Sequence, residues 1–181
     1  MLNAKVIGVG AAGNKAAIAL IEKKILPDKN ILLLNSTLRD VPEKYNEYAI
    51  EFGDTKGCGK ERNLAKNMIL AALENEQVKL DSFLDPSDKM IIIVSSSEGG
   101  TGCGASTVIA DYMSSLLNIP VHMFVFTGFE DDVRGLKNTV DWFSDLKPEY
   151  VVQAISNKKF LESCGNNRFK AEAAANEEFA N

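Results

Sequence analysis

The chain has 181 residues, of which 45% are hydrophobic, and its 25 acidic residues against 20 basic ones give a formal net charge of −5. This length allows one domain with a well-buried core, and the acidic balance without a basic cluster disfavours direct binding to nucleic acid. No apolar run reaches the roughly 20 residues that span a bilayer and the N-terminus lacks a signal-peptide pattern, so we expect a cytoplasmic protein without membrane partners.

Short apolar runs alternate with helical patterns along the chain, which is typical of a mostly parallel sheet covered by helices on both faces. The predicted strands are Ala4–Val9, Asn30–Asn35, Lys89–Ser95, Val121–Thr127 and Tyr150–Ala154. The predicted helices are Gly13–Lys24, Lys60–Glu76, Gly104–Leu117, Asp132–Asp145, Asn157–Cys164 and a last one that begins near Asn167. Residues 36–59 show little apolar periodicity and are predicted to form a long surface excursion.

A first glycine loop, GVGAAGN at Gly8–Asn14, follows the first predicted strand and precedes a helix. This geometry can place free backbone amides of Gly10, Ala11 and Ala12 and the positive end of a helix dipole against a phosphate. The motif alone is equally compatible with tight packing of a helix on a strand. A dinucleotide-binding fingerprint would also need an acidic residue at the end of the second strand, where Asn35 stands.

A second glycine loop, SSSEGGTGCGAS at residues 95–106, follows the most apolar predicted strand and precedes another helix. Its glycines Gly99, Gly100, Gly102 and Gly104 let the backbone wrap an anion, and Thr101 adds a hydroxyl donor. Two such loops in one sheet can close on the same phosphate chain. The pattern of a Walker A loop, G-x-x-x-x-G-K-[ST], does not occur.

The segment EGGTGCG at Glu98–Gly104 resembles the GGGTGTG signature of the tubulin and FtsZ superfamily of GTPases, with Glu98 in place of the first glycine and Cys103 in place of Thr or Ser. The likeness extends along the whole chain. It implies an α/β fold, namely a Rossmann-like parallel-sheet GTPase domain with three α/β/α layers. It also implies GTP or GDP as the ligand, with magnesium as a candidate second cofactor.

The resemblance carries over to further positions of the chain. GVGAAGN is similar to the family's first loop, which ends in an Asn, and FTGFEDDVRG resembles the FtsZ segment with an acidic ribose contact followed by a basic residue. Glu130 and Asp131 both remain candidates for that contact. The implied nucleotide-binding residues are Gly10, Ala11, Ala12, Asn14, Glu98, Gly99, Gly100, Thr101, Gly102, Cys103, Glu130, Asp131, Arg134, Asn157, Phe169 and Asn176.

The base-reading positions of the family fall on Asn157 and Asn176. An Asn amide offers both a donor and an acceptor, which suits the N1, N2 and O6 edge of guanine. Asn157 could instead only cap the helix that it begins, and Asn176 could be an exposed helix residue. The aromatic ring expected four residues before Asn176 is replaced by Glu172, and Phe169, on the same helix face, is the predicted substitute.

The third loop departs from the pattern, because GCGKERNL at Gly57–Leu64 has Lys60, Glu61 and Arg62 where FtsZ has small residues. Two alternatives remain open at the level of sequence. Either Lys60 or Arg62 contacts the terminal phosphate by charge, or the loop swings away and serves a neighbouring subunit.

The sequence therefore predicts a single GTP-binding domain over residues 1–181 of a filament-forming GTPase that associates head to tail with itself or with a full-length relative. We expect the chain to end within the family's central helix, without the second domain and its activating loop, and so to hydrolyse GTP poorly. The alternatives are an NAD(P)-binding oxidoreductase fragment and a regulator that caps filaments. No catalytic residue and no metal ligand are assigned, and the three cysteines, without a C-x-x-C pair, are expected to be reduced.

Overall fold

The computed structural model describes residues 3–53, 57–116 and 120–181. Within them lies a six-stranded parallel sheet in the order β3-β2-β1-β4-β5-β6. The strands are β1 (Ala4–Val9), β2 (Ile31–Asn35), β3 (Ala49–Glu51), β4 (Met90–Ser96), β5 (Val121–Thr127) and β6 (Val151–Ser156). This is the order of a doubly wound sheet, whose direction of winding reverses between β1 and β4.

Helices connect the strands. They are α1 (Gly10–Glu22), α2 (Arg62–Glu74), α3 (Leu80–Phe83), α4 (Thr101–Leu116), α5 (Val133–Ser144) and α6 (Arg168–Phe179). Short 3-10 helices occupy Asp28–Asn30, Leu38–Asp40, Glu43–Tyr48 and Asn157–Phe160. In the part of the chain that the structure describes, no helix combines the length and hydropathy needed to cross a membrane.

The core has two halves because successive strand residues point to opposite faces of the sheet. On one face, Ile7 of β1 belongs to the cluster that α2, α4 and α5 cover, with Trp142 fully buried. On the other face, Val6 belongs to the cluster that α1 and α6 cover. The predicted three-layer α/β/α arrangement is confirmed.

Strands β1 and β4 are neighbours although more than 80 residues separate them in sequence, and Gly8 pairs in register with Val94. Both glycine loops follow these two central strands, so they leave the same edge of the sheet. In open parallel sheets this crevice, outside the carboxyl ends of the strands where the winding reverses, is where ligands bind. The fold therefore brings the two loops to one place.

Glycine at two helix positions lets the helices approach closely. A Cβ added at Gly13 would overlap the carbonyl oxygen of Val94, so α1 lies directly against β4. A Cβ added at Gly104 would overlap the carbonyl oxygen of Arg62, which holds α4 against the start of α2. Both contacts place a helix N-terminus beside the crevice.

Three expectations from the sequence were wrong. Residues 36–59 are not an excursion throughout, because β3 adds a strand to the edge of the sheet and Phe52 beside it is fully buried; residues 54–56 of that segment lie outside the described residues. Helices α1 and α4 each begin three residues earlier than predicted, at Gly10 and Thr101. The predicted helix Asn157–Cys164 is a 3-10 helix that ends at Phe160. Leu117, where the predicted helix Gly104–Leu117 ends, lies outside the described residues.

Candidate functional site

The two glycine loops touch each other. Gly10 has a positive φ of 74°, which favours glycine, and a Cβ added there would lie 2.7 Å from the backbone nitrogen of Gly102. A Cβ added at Gly102 would lie 3.1 Å from the carbonyl oxygen of Val9. Side chains at these positions would push the loops apart, so the glycines are what allows the two loops to lie in contact.

Two adjoining cavities lie over these loops. The first has a volume of about 380 Å³ and the second about 350 Å³, and both are lined by Ala11, Ala12, Ser96 and Gly99. Cavities of a few hundred Å³ are typical of small-molecule sites. The shared lining means that an elongated ligand could extend from one cavity into the other.

Most of the predicted site residues line one of these cavities. The first cavity is lined by Ala11, Ala12, Glu98, Gly99, Asp131, Asn157 and Asn176. The second is lined by Gly10, Ala11, Ala12, Gly99, Gly100, Thr101 and Gly102. The structure thus separates the two Asn residues, at one end, from the glycine-rich backbone at the other.

Five predicted residues line neither cavity: Asn14, Cys103, Glu130, Arg134 and Phe169. Phe169 is 83% exposed, and the structure does not bring its ring to the site. Glu130 pairs with Lys158 at 2.6 Å, and Arg134 pairs with Glu61. The Cys103 thiol donates to the carbonyl oxygen of Asn138 at 3.2 Å inside the core, where burial raises its pKa to about 11.

Sequence reasoning missed Phe129. This residue lines the first cavity, and the Arg168 guanidinium lies 5.1 Å from the centre of its ring. Phe129 stands between Gly128 and the acidic run that follows β5. The sequence shows this aromatic residue directly after β5 and a glycine, but the aromatic residue of the site was predicted on α6.

Buried amides near the loops have unused hydrogen-bonding capacity. Within the described part of the chain, Asn35 Nδ2 has no partner, and Asn35 is 3% exposed where it lines the second cavity. Asn14, one turn into α1, is 1% exposed, and neither its side-chain oxygen nor its nitrogen has a partner among the described residues. Buried amides without partners are costly, so a polar ligand beside Asn35 would use capacity that the protein leaves open.

The loop after β2 joins the second glycine loop through a buried hydrogen bond of 2.7 Å between the Ser36 and Thr101 hydroxyls. Thr101 is the first residue of α4, so this bond positions the start of that helix. Each hydroxyl can still accept or donate one further bond. Asn35, Ser36 and Thr37 thus form one wall of the second cavity opposite the glycines.

Glu98 replaces a glycine of the family signature, and it lines the first cavity but not the second. It packs against Gly128 and Gly135, since a Cβ added at Gly128 would overlap it and one added at Gly135 would lie 3.1 Å from it. Burial raises the pKa of this carboxyl, while a hydrogen bond from the Glu130 backbone and the charge of Lys60 act in the opposite direction. The charged side chain is accommodated because glycines from another segment make room.

The third loop lies against the second glycine loop. A Cβ added at Gly100 would lie 2.9 Å from the Lys60 backbone nitrogen and 3.0 Å from that of Glu61. The Lys60 side chain lines the first cavity and forms an ion pair with Asp132. Arg62 instead pairs with Asp145. The alternative in which this loop swings away is not what the structure shows, and of the two cations considered only Lys60 reaches the cavity.

Asp132 caps α5, since its Oδ1 accepts from the Arg134 backbone nitrogen at 3.0 Å. The hydrogen bond from Lys60 is the main reason why the pKa of Asp132 is lowered. Among the described residues, no group of three or more His, Cys, Asp or Glu side chains is arranged to hold a metal ion. Magnesium at nucleotide sites is usually bound by phosphates with one or two carboxylates, so such a group is not required.

Comparison with known proteins gives a consistent result. Residues 3–165 match the family described as "Tubulin/FtsZ family, GTPase domain". The cell division protein FtsZ of Mycoplasmopsis pulmonis (strain UAB CTIP) is 31% identical over 170 residues, which are 91% of this chain and 42% of that protein. The chain thus spans less than half the length of this curated relative.

Solved structures share the fold. The GTPγS-bound protofilament of CetZ2 from Haloferax volcanii has a TM-score of 0.84 at 21% identity and covers 99% of this chain and 56% of its own. The GTPγS-form protofilament of TubZ from Bacillus thuringiensis serovar israelensis has a TM-score of 0.76 at 17% identity, over 99% of this chain and 55% of its own. The matched family consists of GTPase domains, so the oxidoreductase alternative gains no support.

Proposed function

This chain belongs to the tubulin/FtsZ family of GTPase domains, and we propose that its two glycine loops bind the phosphates of GTP or GDP. The observation that carries the proposal is the contact between Gly10 and Gly102 at the edge of the two central strands. Helices α1 and α4 both begin in these loops. Their free amides and dipoles therefore point at one place, where negative charge is stabilised.

The base of the nucleotide occupies the first cavity in this proposal. Asn157 and Asn176 line it from the segment after β6 and from α6, and Asn157 is 9% exposed. Their amides can donate to O6 and accept from N1 and N2 of guanine, whereas adenine would match them less well. Phe129 supplies an apolar ring for stacking at the same cavity. Asp131 is the better candidate for the ribose hydroxyls, since Glu130 lines neither cavity.

Hydrolysis by the described residues is slow in this proposal, because each carboxylate at the first cavity is already engaged. Asp131 pairs with Arg168, Asp132 caps α5, and Glu172 lies 3.9 Å from Lys15. Glu98 accepts a hydrogen bond from the Glu130 backbone. Orientation of an attacking water needs a free, positioned acceptor.

Head-to-tail association with a second copy or with a longer relative completes the proposed function. It is supported by the family membership and by the protofilament state of the CetZ2 and TubZ structures with the same fold. A nucleotide bound at an exposed edge of the sheet can be covered by the next subunit, and such heterologous contacts propagate into filaments.

The proposal is tested by identifying the nucleotide that the purified chain carries and by titrating nucleotide-free protein with GTP, GDP, ATP and NADH. We expect GDP or GTP to be released on denaturation, and guanine nucleotides to bind at least about tenfold more tightly than ATP. Preferential binding of ATP or NADH would overturn the assignment of the base pocket. Failure of all four to bind would overturn the nucleotide site as a whole.

A further inference from the structure

Lys60 stands out because its backbone is fixed while its side chain is held by one exposed ion pair. The Asn138 amide nitrogen of α5 lies 3.1 Å from the Lys60 carbonyl oxygen and 3.2 Å and 3.3 Å from those of Glu98 and Gly99. One side chain thus joins the third loop to the second glycine loop. The loop backbone cannot move without breaking these contacts, but the Lys60 side chain can.

The ion pair between Lys60 and Asp132 is easy to exchange. Their side chains are 44% and 37% exposed, so water screens the attraction. Exposed pairs of this kind change an equilibrium by about fivefold or less. A terminal phosphate carries about two negative charges and three acceptor oxygens, and is therefore a stronger partner for an ammonium group than one exposed carboxylate.

Lys60 is also the cation of the first cavity whose backbone adjoins the second glycine loop. Among the described residues that line the first cavity, the cations are Lys15, Lys60 and Arg168. Lys15 is on α1 beside Glu172, and Arg168 begins α6 and pairs with Asp131, so both belong to the end with the base-reading residues. Lys60 alone adjoins Gly100 of the second glycine loop.

From these contacts we infer that Lys60 binds the terminal phosphate of a nucleoside triphosphate, exchanging Asp132 for it, and so makes the chain prefer the triphosphate over the diphosphate. The inference rests on the proposed nucleotide site. The Lys60 side chain thereby makes the phosphate contact that backbone amides make where the loop has small residues. Asp132 competes with the phosphate for Lys60 and pairs with it before the nucleotide binds.

The first test is Lys60→Gln, with affinities for GDP and for a non-hydrolysable GTP analogue measured by calorimetry. We expect the preference for the triphosphate over GDP to fall about tenfold, while GDP affinity changes less than about twofold. Lys44→Gln is the matched control, because it removes an exposed lysine that pairs with Glu22 at 3.3 Å and lines neither cavity. It should leave both affinities unchanged.

The outcomes separate the inference from the proposed function. If wild-type protein binds neither nucleotide, the nucleotide site itself is wrong. If it binds both and Lys60→Gln leaves the preference for the triphosphate intact, or weakens both nucleotides equally, the role of Lys60 is wrong and the site remains.

Asp132→Asn gives a second test. The exchange predicts tighter binding of the triphosphate, whereas a purely structural role of Asp132 predicts weaker binding. Asn is a good helix N-cap, so α5 keeps its start. Release of Lys60 should tighten the triphosphate by about threefold and leave GDP unchanged, and this gain should vanish in the double variant with Lys60→Gln. If Asp132 only holds the loop in place, Asp132→Asn will weaken both nucleotides, which would contradict the exchange.

Discussion

At the scale of single residues, Glu98 shows how the chain departs from its family and keeps the site. The signature position normally holds glycine, yet here a carboxylate fills a notch made by Gly128 and Gly135. Glu98 and the two glycines that make room for it lie in segments that are distant in sequence. Read alone, Glu98 looked like a ligand-binding residue, whereas its carboxylate also holds the segment after β5 through the Glu130 backbone.

Replacing Glu98 by Gln should raise stability slightly at pH 7. The folded-state pKa of Glu98 is raised above its ordinary 4.5 because burial disfavours the charged form. A raised carboxyl pKa means that the folded state gains from the proton below the unfolded pKa and loses that gain as pH rises through the folded pKa. Gln keeps an acceptor for the Glu130 amide, and partial exposure limits the gain to less than about 0.5 kcal/mol.

Urea midpoints of wild type and Glu98→Gln at pH 7 and pH 4 would measure this difference. The variant should be the more stable protein at pH 7, and its advantage should shrink at pH 4. A less stable variant at pH 7 would mean that the attraction of Lys60 outweighs the cost of burial.

Replacing Asn176 by Asp should weaken guanine nucleotides selectively. The carboxylate loses the amide donor and would face O6, an acceptor, so GTP affinity should fall about tenfold. ATP offers an amino group in place of O6 and should lose less. Competition of both nucleotides against a labelled GDP would measure this, and an equal loss for both would show that Asn176 does not read the base.

At the scale of elements, the sequence predicted the strands well where both faces of the strand are buried. The five predicted strands are all present, with bounds shifted by at most two residues, because continuous apolar runs mark strands covered on both faces. Strand β3 was missed because only three residues pair, at the edge of the sheet. The helix predicted from Asn157 is a single 3-10 turn, since packing of this corner overrides a weak local pattern.

The residues that line the two cavities were predictable to a similar degree, for a different reason. The glycine loops have a strong local signal, and their residues do line the cavities. Phe169 lines neither cavity, because helical spacing gives the relative positions of residues on α6 but not the rotation of that helix against the sheet. Its ring is exposed to solvent, whereas Phe129 lines the cavity from a loop that has no periodicity to interpret.

Replacing Gly13 by Ala should destabilise the protein by separating α1 from β4. The added Cβ would overlap the carbonyl oxygen of Val94, and backbone on both sides cannot give way easily. We expect a loss of about 3 kcal/mol, which lowers the melting temperature by about 6–12 °C for a domain of this size. Thermal unfolding would measure it. A melting temperature like that of wild type would mean that the helix does not lie as close to the strand as described.

At the scale of the whole molecule, topology explains why the two glycine loops lie together. Strands β1 and β4 lie side by side at the point where the sheet reverses its winding, so the loops that follow them must meet. Neither loop specifies a phosphate site alone. The contact between the two loops is what favours a phosphate site there.

GTP turnover by the 181-residue chain should stay near background at every protein concentration. The carboxylates at the first cavity are each engaged within the chain, and Asp132 still caps α5 when Lys60 leaves it, so none is free to orient water. Phosphate release measured over about a hundredfold range of concentration would test this. A rate per molecule that climbs with concentration would show that a second copy of these same residues supplies an activating group.

The most direct measurement of the central claim, that both glycine loops grip one nucleotide phosphate chain, is a calorimetric titration of wild type and Gly99→Ala with GTP. Gly99 lines both cavities, and a Cβ added there meets nothing within 4 Å, so the variant should fold and melt like wild type. We predict one binding site in wild type and a loss of at least about tenfold in the variant, whose methyl group projects beside the phosphate path. Equal affinities in the two proteins, or no heat of binding in wild type, would contradict the claim.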